Sequence, residues 1–206
     1  MKRIGDLAKL IRCRDDFPFL FNILDLTGVG VEVGVKAGAF SEHILKHWEG
    51  GKLFSIDAWQ ERDDYLDLAN VSQDEQEHMY KSVLMRLKPF GNRVTVKRDT
   101  SPGVASDFLD GILDFVYLDA AHDYESVMAD IEAWLPKVRK GGVIAGHDFV
   151  THLPEQKVYY PHMPDDLVDT TVIDVQRAVR DSFRNIPGSI WVTTDPFPSW
   201  WRIKDW

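Results

Sequence analysis

The chain has 206 residues, of which 44% are hydrophobic and 28% charged, and its formal net charge is −9. This length suits one domain with a substantial core, and the negative charge argues against a nucleic-acid partner, because neutralising phosphates requires clustered lysine and arginine. No stretch offers the roughly 18 apolar residues that a membrane span needs, and the single cysteine, Cys13, excludes an internal disulfide. We therefore expect no membrane partner and a small-molecule substrate.

The start of the chain is predicted to be helical. Apolar residues within 4–11 have helical spacing, and residues 17–26 form an apolar run that Gly28 is expected to end as a C-cap. The N-terminus carries scattered charges and lacks the apolar stretch of a secretory signal. This pattern favours a cytoplasmic location.

From residue 30 onward, short apolar runs alternate with helical patterns. Strands are predicted at residues 30–34, 53–56, 94–96, 113–118 and 143–146. Helices are predicted at residues 40–48, 72–87, 102–109, 127–138 and 172–183. A polar stretch at 151–169 is predicted to be a long loop of the kind that often forms a lid or a binding segment, and residues 189–193 and 199–203 an antiparallel pair. The alternation predicts an α/β fold with a doubly wound, mostly parallel sheet, whose ligands bind at the carboxyl ends of the strands.

The glycine-rich stretch at residues 27–40 raises the question of which nucleotide it binds. Gly28 and Gly30 precede the predicted strand, whereas in a dinucleotide fingerprint the glycines follow it and place the pyrophosphate on a helix N-terminus. Gly34 and Gly38 do lie in the strand-to-helix turn, where missing side chains let a ligand approach the backbone. Glu32 adds a carboxylate that disfavours a pyrophosphate and suits a ligand with a cationic end.

Asp57 ends the next predicted strand, where a carboxylate is placed to accept hydrogen bonds from ribose hydroxyls. The implied ligand is a nucleoside that carries positive charge and no phosphate. S-adenosylmethionine matches that description.

Three segments, VEVGVKAGAFSEHIL, LFSIDAW and LDFVYLDAAHDYESVMADIEAWLPKVRKGGVIAGHDF, together resemble class I S-adenosylmethionine-dependent methyltransferases. The resemblance is to the small-molecule branch with Asp-x-x-His-x-Tyr after the fourth strand, and Lys36 and Ala39 depart from the family's three alternating loop glycines. It implies a seven-stranded, Rossmann-like methyltransferase fold with the last strand antiparallel. It also implies a single domain, with residues 1–27 as N-terminal cap helices and 28–206 as the catalytic core. The implied activity is methyl transfer from S-adenosylmethionine to a small-molecule acceptor, with a hydroxyl oxygen as the expected acceptor atom.

The resemblance also implies a set of cofactor contacts. They are Glu32, Gly34, Gly38, Phe40, Ser41, Asp57, Ala58, Trp59, Asp99, Thr100 and Asp119. In this set the first three surround the methionine portion, Asp57 binds the ribose, and Asp99 with Thr100 lies near the adenine. Trp59 is interpreted either as a cover for the adenosine or as an ordinary packing aromatic.

Histidine and carboxylate pairs end two neighbouring predicted strands. Asp119 and His122 follow the fourth strand, and His147 and Asp148 follow the fifth. His122 is the candidate general base, because its reference pKa is near neutrality, with Asp119 and Asp148 as its catalytic partners. Alternatively, a divalent metal, Mg²⁺ or Mn²⁺, lowers the pKa of the acceptor hydroxyl. Related O-methyltransferases place a metal at the positions matching Asp119, His147 and Asp148, although the histidine departs from their usual carboxylate or carboxamide.

Two hypotheses from other classes stay open. A metal-dependent oxygenase or hydrolase would use His122, His147 and Asp148 as ligands, but this leaves the loop glycines and Asp57 without a role. A non-catalytic protein that retains the fold would use a partner surface, for which the C-terminal tryptophans are candidates unless they pack inside. A homodimer is a further hypothesis.

Overall fold

A seven-stranded sheet forms the centre of the computed structural model, which describes residues 4–63, 65, 70–151 and 173–206. The strands are β1 (Val29–Val33), β2 (Lys52–Asp57), β3 (Val94–Arg98), β4 (Leu113–Leu118), β5 (Val138–Gly146), β6 (Trp191–Val192) and β7 (Trp200–Ile203). Their order is β3-β2-β1-β4-β5-β7-β6. β1 to β5 are parallel, and β7 runs antiparallel to both β5 and β6. The predicted doubly wound, mostly parallel sheet is confirmed.

Helices cover both faces of this sheet. In the described part of the chain they are α1 (Ile4–Ala8), α2 (Phe17–Ile23), α3 (Ala39–His47), α4 (Gln73–Leu87), α5 (Ser101–Ala105), α6 (Tyr124–Trp134) and α7 (Val175–Ser182). Short 3-10 helices lie at Arg14–Asp16, Lys88–Arg93 and Leu135–Lys137. The buried side chains of α1 to α4 join one apolar cluster, and those of α5 to α7 join another. β4 serves both, because alternate side chains of a strand point to opposite faces: Phe115 belongs to the first cluster and Val116 to the second.

The end of α2 differs from its prediction. Asp25 adopts a left-handed conformation with φ +56°, its N–H donates to the Asn22 carbonyl, and the N–H of Leu26 donates to the Phe21 carbonyl. This is the Schellman pattern that usually contains glycine. Gly28 is therefore not the C-cap, and its N–H instead donates to the carboxylate of Asp114 on β4.

The fifth strand begins earlier than predicted. The pattern placed residues 127–138 in a helix and began the strand at 143, but α6 ends at Trp134 and the proline-containing 3-10 helix follows. Val138 already pairs with Leu113, and the register shifts before Val143 pairs with Phe115. The paired glycines therefore mark an irregularity within the strand, where the sequence suggested a helix stop.

Other predictions hold with altered bounds. The capping box at Ser72 and Glu75 is present at the start of α4, whereas the helix predicted at 102–109 covers only Ser101–Ala105.

Most of the loop predicted at 151–169 lies outside the described residues. Two of the C-terminal tryptophans, Trp200 and Trp201, are buried in the sheet, which agrees with the interpretation that they pack inside. Among the described helices none is long and apolar enough to cross a membrane.

The carboxyl ends of β1, β2 and β4 meet closely at Gly34. Its N–H donates to the Ile56 carbonyl at 2.9 Å, while the N–H of Asp119 donates to the Val33 carbonyl at 2.8 Å. Gly34 has φ +85°, and a Cβ at this position would lie 1.9 Å from the carbonyl oxygen of Asp119. Only glycine fits where β1 leaves the sheet.

We expect Gly34→Ala to lower the free energy of unfolding by at least about 3 kcal/mol, because it adds a backbone clash to a strained φ. Gly111→Ala is the matched control, since Gly111 also has positive φ, +70°, but open space around its Cβ position. That variant should lose only about 1 kcal/mol. Urea unfolding of the two proteins measures the difference, and equal losses would contradict the steric argument.

Candidate functional site

A cavity of about 760 Å³ opens at the carboxyl ends of the parallel strands. Its size lies within the range of about 300 to 1,000 Å³ usual for small-molecule sites. Its lining includes Gly34, Lys36, Asp57, Ala58, Asp99, Thr100, Asp119, His122, His147 and Asp148. Many of the predicted site residues therefore share one cavity.

The Asp57 carboxylate holds the loop between β1 and α3. One of its oxygens accepts hydrogen bonds from the N–H groups of Val35 at 2.9 Å and Lys36 at 2.8 Å. The other oxygen accepts from the N–H of Trp59 at 2.8 Å. Burial raises the pKa of Asp57 despite these bonds, which act in the opposite direction. A carboxylate offers about four acceptor positions, so Asp57 can fix the loop and still accept from a ribose hydroxyl.

Glu32 lies beneath the loop and does not line the cavity. It is fully buried, because it points to the α3 face of the sheet while its neighbours Val31 and Val33 point to the other face. Its carboxyl group accepts a hydrogen bond from the hydroxyl of Ser41, which also lies 2.9 Å from the hydroxyl of Ser55. Burial raises the pKa of Glu32 to about 8. The structure therefore places Glu32 and Ser41 behind the cavity lining, where they support the loop, and their contacts with a cofactor stay a prediction.

Trp59 also lies behind the cavity wall. Its indole N–H donates to the Lys36 carbonyl at 2.9 Å, and its ring centre lies 4.9 Å from that of Tyr80. The residue has no exposed surface, which favours its interpretation as a packing aromatic over that as a cover for the adenosine. Phe40 and Gly38 are likewise absent from the lining, and they shape the first turn of α3.

The β3 end of the cavity contains an acidic residue that the sequence did not reveal as a candidate. Asp99 and Thr100 line this end as expected. Beside them Asp130 of α6 is buried and accepts a hydrogen bond from the hydroxyl of Ser101. Burial raises the pKa of Asp130 to about 6. In the sequence, Asp130 could have been noticed as a carboxylate that lies beside Ile131, next to the apolar stripe of α6.

The ends of β4 and β5 bring together Asp119, His122, His147 and Asp148, which we call the Asp–His cluster. The Nε2 atom of His122 lies 3.4 Å from an Asp148 oxygen and 3.7 Å from an Asp119 oxygen. The Nδ1 atom of His147 lies 3.2 Å from the same Asp148 oxygen and 3.7 Å from the same Asp119 oxygen. The backbone N–H of His122 donates to the Tyr65 hydroxyl at 2.9 Å. Parallel strand ends thus place both histidines between two carboxylates.

Asp148 is strained and electrostatically stabilised at the same time. Its φ of +49° lies in the left-handed region, which costs a non-glycine residue about 1 to 3 kcal/mol. Burial alone would raise its pKa, but the hydrogen bond from His147 and the electrostatic influence of the two histidines and Arg14 outweigh burial and lower the pKa. Strained backbone of this kind often accompanies functional sites.

Arg14 reaches the site from the N-terminal segment and was not predicted as a site residue. Its Nη2 atom lies 3.0 Å from the Asp119 oxygen that faces away from the histidines. Its guanidinium carbon lies 4.2 Å from the ring centre of Phe40. Burial opposes the charge, but Asp119 and other nearby acidic groups outweigh it and raise the pKa of Arg14. No sequence motif marks this arginine, because its contacts are made across the fold.

The Asp–His cluster also contains a donor set of the kind that binds a divalent metal. Ligand atoms of Asp119, His122 and Asp148 all lie within 4.8 Å of one another. Two carboxylates and one imidazole suit Mg²⁺ or Mn²⁺, with the imidazole better suited to Mn²⁺. This set differs from the predicted one, which contained His147 in place of His122. The residues fit a metal, although Arg14 pairs with one oxygen of Asp119.

The antiparallel seventh strand and the ligand-sized cavity at the strand ends define the class I methyltransferase fold. Residues 31–149, more than half of the sequence, match a family described as a methyltransferase domain. The chain belongs to this family, and the family predicted from the sequence is confirmed.

Individual relatives share the fold at low sequence identity. An uncharacterized protein, y4gI of Sinorhizobium fredii, is 24% identical over 120 residues, which cover 58% of this chain but only 12% of that protein. The O-methyltransferase TomG of Streptomyces achromogenes, involved in tomaymycin synthesis and solved with S-adenosylmethionine, has a TM-score of 0.59 and 14% identity over 93% of this chain and 79% of its own. An O-methyltransferase of Bacillus cereus, solved with S-adenosylhomocysteine, has a TM-score of 0.58 and 16% identity over 93% and 80%. At these identities the structures show a common fold.

The buried carboxyl group of Glu32 predicts a particular pH dependence of stability. Its pKa is about 8 in the folded protein against an ordinary value of 4.5, so between these values only the unfolded chain releases the proton. The stabilisation is complete below the lower value and is lost as the pH rises towards 8. From pH 6 to pH 8 this group should lower the free energy of unfolding by about 2 kcal/mol.

Urea unfolding of Glu32→Gln at pH 6, 7 and 8 tests this expectation. The variant should lose less stability across the range than the wild type, while Glu49→Gln, at an exposed position just after α3, should follow the wild type. Parallel profiles for Glu32→Gln and the wild type would contradict the raised pKa.

Proposed function

We propose that the protein transfers the methyl group of S-adenosylmethionine to a hydroxyl oxygen of a small-molecule acceptor. The observation that carries this proposal is the single cavity that connects the loop fixed by Asp57 with the Asp–His cluster. One end suits a nucleoside and the other suits the activation of a hydroxyl. Membership in the methyltransferase family favours this activity over the oxygenase and the non-catalytic hypotheses.

The proposed cofactor lies across the carboxyl ends of β1, β2 and β3. Its ribose hydroxyls donate to the Asp57 carboxylate, and its adenine occupies the end near Asp99 and Thr100. Its methionine portion lies beside Gly34, which lines the cavity in the turn after β1. The solved relatives that contain S-adenosylmethionine or S-adenosylhomocysteine have the same fold, which supports this cofactor.

The acceptor is proposed to lie over β4 and β5, against the Asp–His cluster. Methyl transfer is an in-line attack, so the protein has to position the hydroxyl and remove its proton. As the new bond between oxygen and the methyl carbon forms, the carbon–sulfur bond breaks and its electrons neutralise the sulfonium. His122 accepts the hydroxyl proton, and the nearby oxygens of Asp119 and Asp148 orient the ring and stabilise its positive charge.

The alternative is a divalent metal held by Asp119, His122 and Asp148, which would lower the pKa of the acceptor hydroxyl. His122 would then be a ligand and not the base. The guanidinium of Arg14 already pairs with Asp119, and the Nδ1 atom of His147 lies 3.2 Å from an oxygen of Asp148, so both carboxylates already have partners within the protein. For this reason the proposal assigns proton removal to His122.

His122→Asn should lower the turnover of a hydroxyl acceptor by at least about 100-fold, because it removes the base while keeping a polar side chain of similar reach. Release of S-adenosylhomocysteine reports turnover across a panel of phenols and sugars. Calorimetry with S-adenosylhomocysteine checks that the cofactor still binds. His47→Asn, at an exposed position of α3, serves as the control, and wild-type turnover in the His122 variant would overturn the assignment.

Chelation distinguishes the two modes of activation. If His122 is the base, activity should persist after treatment with EDTA and gel filtration, and added Mn²⁺ or Mg²⁺ should not increase it. Loss of activity on chelation, with recovery on adding Mn²⁺, would instead establish the metal set of Asp119, His122 and Asp148.

A further inference from the structure

Arg14 connects the N-terminal cap to the methyl-transfer site. It lies in the 3-10 helix Arg14–Asp16, outside the segment that matches the family. Its side chain crosses the carboxyl ends of β1 and β4 and lines the cavity. Its guanidinium carbon lies 4.2 Å from the ring centre of Phe40 and 5.6 Å from that of Tyr117. These aromatic contacts fix the plane of the guanidinium group.

The donors of Arg14 are only partly used. A guanidinium group has five N–H donors, and its ion pair with Asp119 engages the Nη2 atom. The Nε atom is buried and has no hydrogen-bond acceptor among the described residues. A buried N–H without a partner is unfavourable, and here it belongs to a side chain that lines the cavity. This side chain is therefore prepared to bind an acceptor group on a ligand.

The charges around Arg14 indicate which ligand fits. Asp119 occupies one side of the guanidinium group, and the remaining N–H donors suit an anionic group on a ligand. The carboxylate of Asp148 favours positive charge on the same molecule. A zwitterion satisfies both requirements. The methionine end of S-adenosylmethionine carries a carboxylate, an ammonium and a sulfonium, and the proposed cofactor position places this end at Gly34, beside Arg14.

We propose that Arg14 is a positioning residue that binds the carboxylate of the cofactor's methionine portion. This inference rests on the proposed function and adds the cap to the cofactor site. The planar fork of arginine matches a carboxylate better than the point charge of lysine does. Asp119 and Phe40 hold that fork in place, so the cap and the loop together bind the methionine end.

Two ligands that differ only in the carboxylate test the inference. S-adenosylhomocysteine carries the carboxylate, and decarboxylated S-adenosylhomocysteine lacks it but keeps the ammonium and the adenosine. In calorimetry the wild type should bind S-adenosylhomocysteine at least about tenfold more tightly than the decarboxylated ligand. Arg14→Gln should abolish this preference by losing affinity for S-adenosylhomocysteine alone. Arg12→Gln is the matched control, because Arg12 is exposed two residues away.

Each outcome has a definite meaning. A structural role for Arg14 would lower the affinity for both ligands by the same factor, and equal affinities in the variant and the wild type would exclude contact with the carboxylate. Loss of the preference in Lys36→Gln but not in Arg14→Gln would assign the carboxylate to Lys36, which also lines the cavity. Should Arg14→Gln fail to fold, Arg14→Lys replaces it, and an unchanged preference there would overturn the inference. Failure of the wild type to bind S-adenosylhomocysteine would contradict the proposed function itself.

Discussion

The close approach of Gly34 to the carbonyl of Asp119 determines where the site forms. At this contact β1 leaves the sheet while its last hydrogen bonds still join it to β2 and β4. The loop can then turn over the sheet, and the three strand ends remain side by side. Because the cavity is built from residues that directly follow these ends, a shift at Gly34 would displace the nucleoside end and the Asp–His cluster together.

Asp57 has two roles that follow from this geometry. Its carboxylate accepts three backbone N–H groups, which fixes the loop after β1 from the neighbouring strand. It still lines the cavity, so the group that holds the loop is also available to a ligand. A ligand that binds Asp57 therefore meets a loop that is already in place, and binding need not order it.

The sequence predicted those features that depend on local pattern. The strands and the residues that end them follow from hydrophobic runs, so the meeting of Asp119 and His122 with Asp148 could be foreseen. Arg14 could not, because its partners lie on α3 and β4 and no spacing in the sequence connects them. The sequence also did not show on which side of the cavity wall a side chain lies. For this reason Glu32 and Trp59 were expected in the cavity, although both are buried behind it.

The negative charge of the site lies closer to β4 and β5 than to Glu32 on β1. Burial raises the pKa of Glu32 to about 8, so near neutral pH it is mostly uncharged and contributes little attraction to a cation. The histidines and Arg14 lower the pKa of Asp148 despite its burial, which keeps that group ionised. Two carboxyl groups of one site thus take opposite charge states because their surroundings differ. The sulfonium of the proposed cofactor is consequently attracted towards β4 and β5, where the proposed acceptor lies, and not towards the acidic residue of the glycine-rich loop.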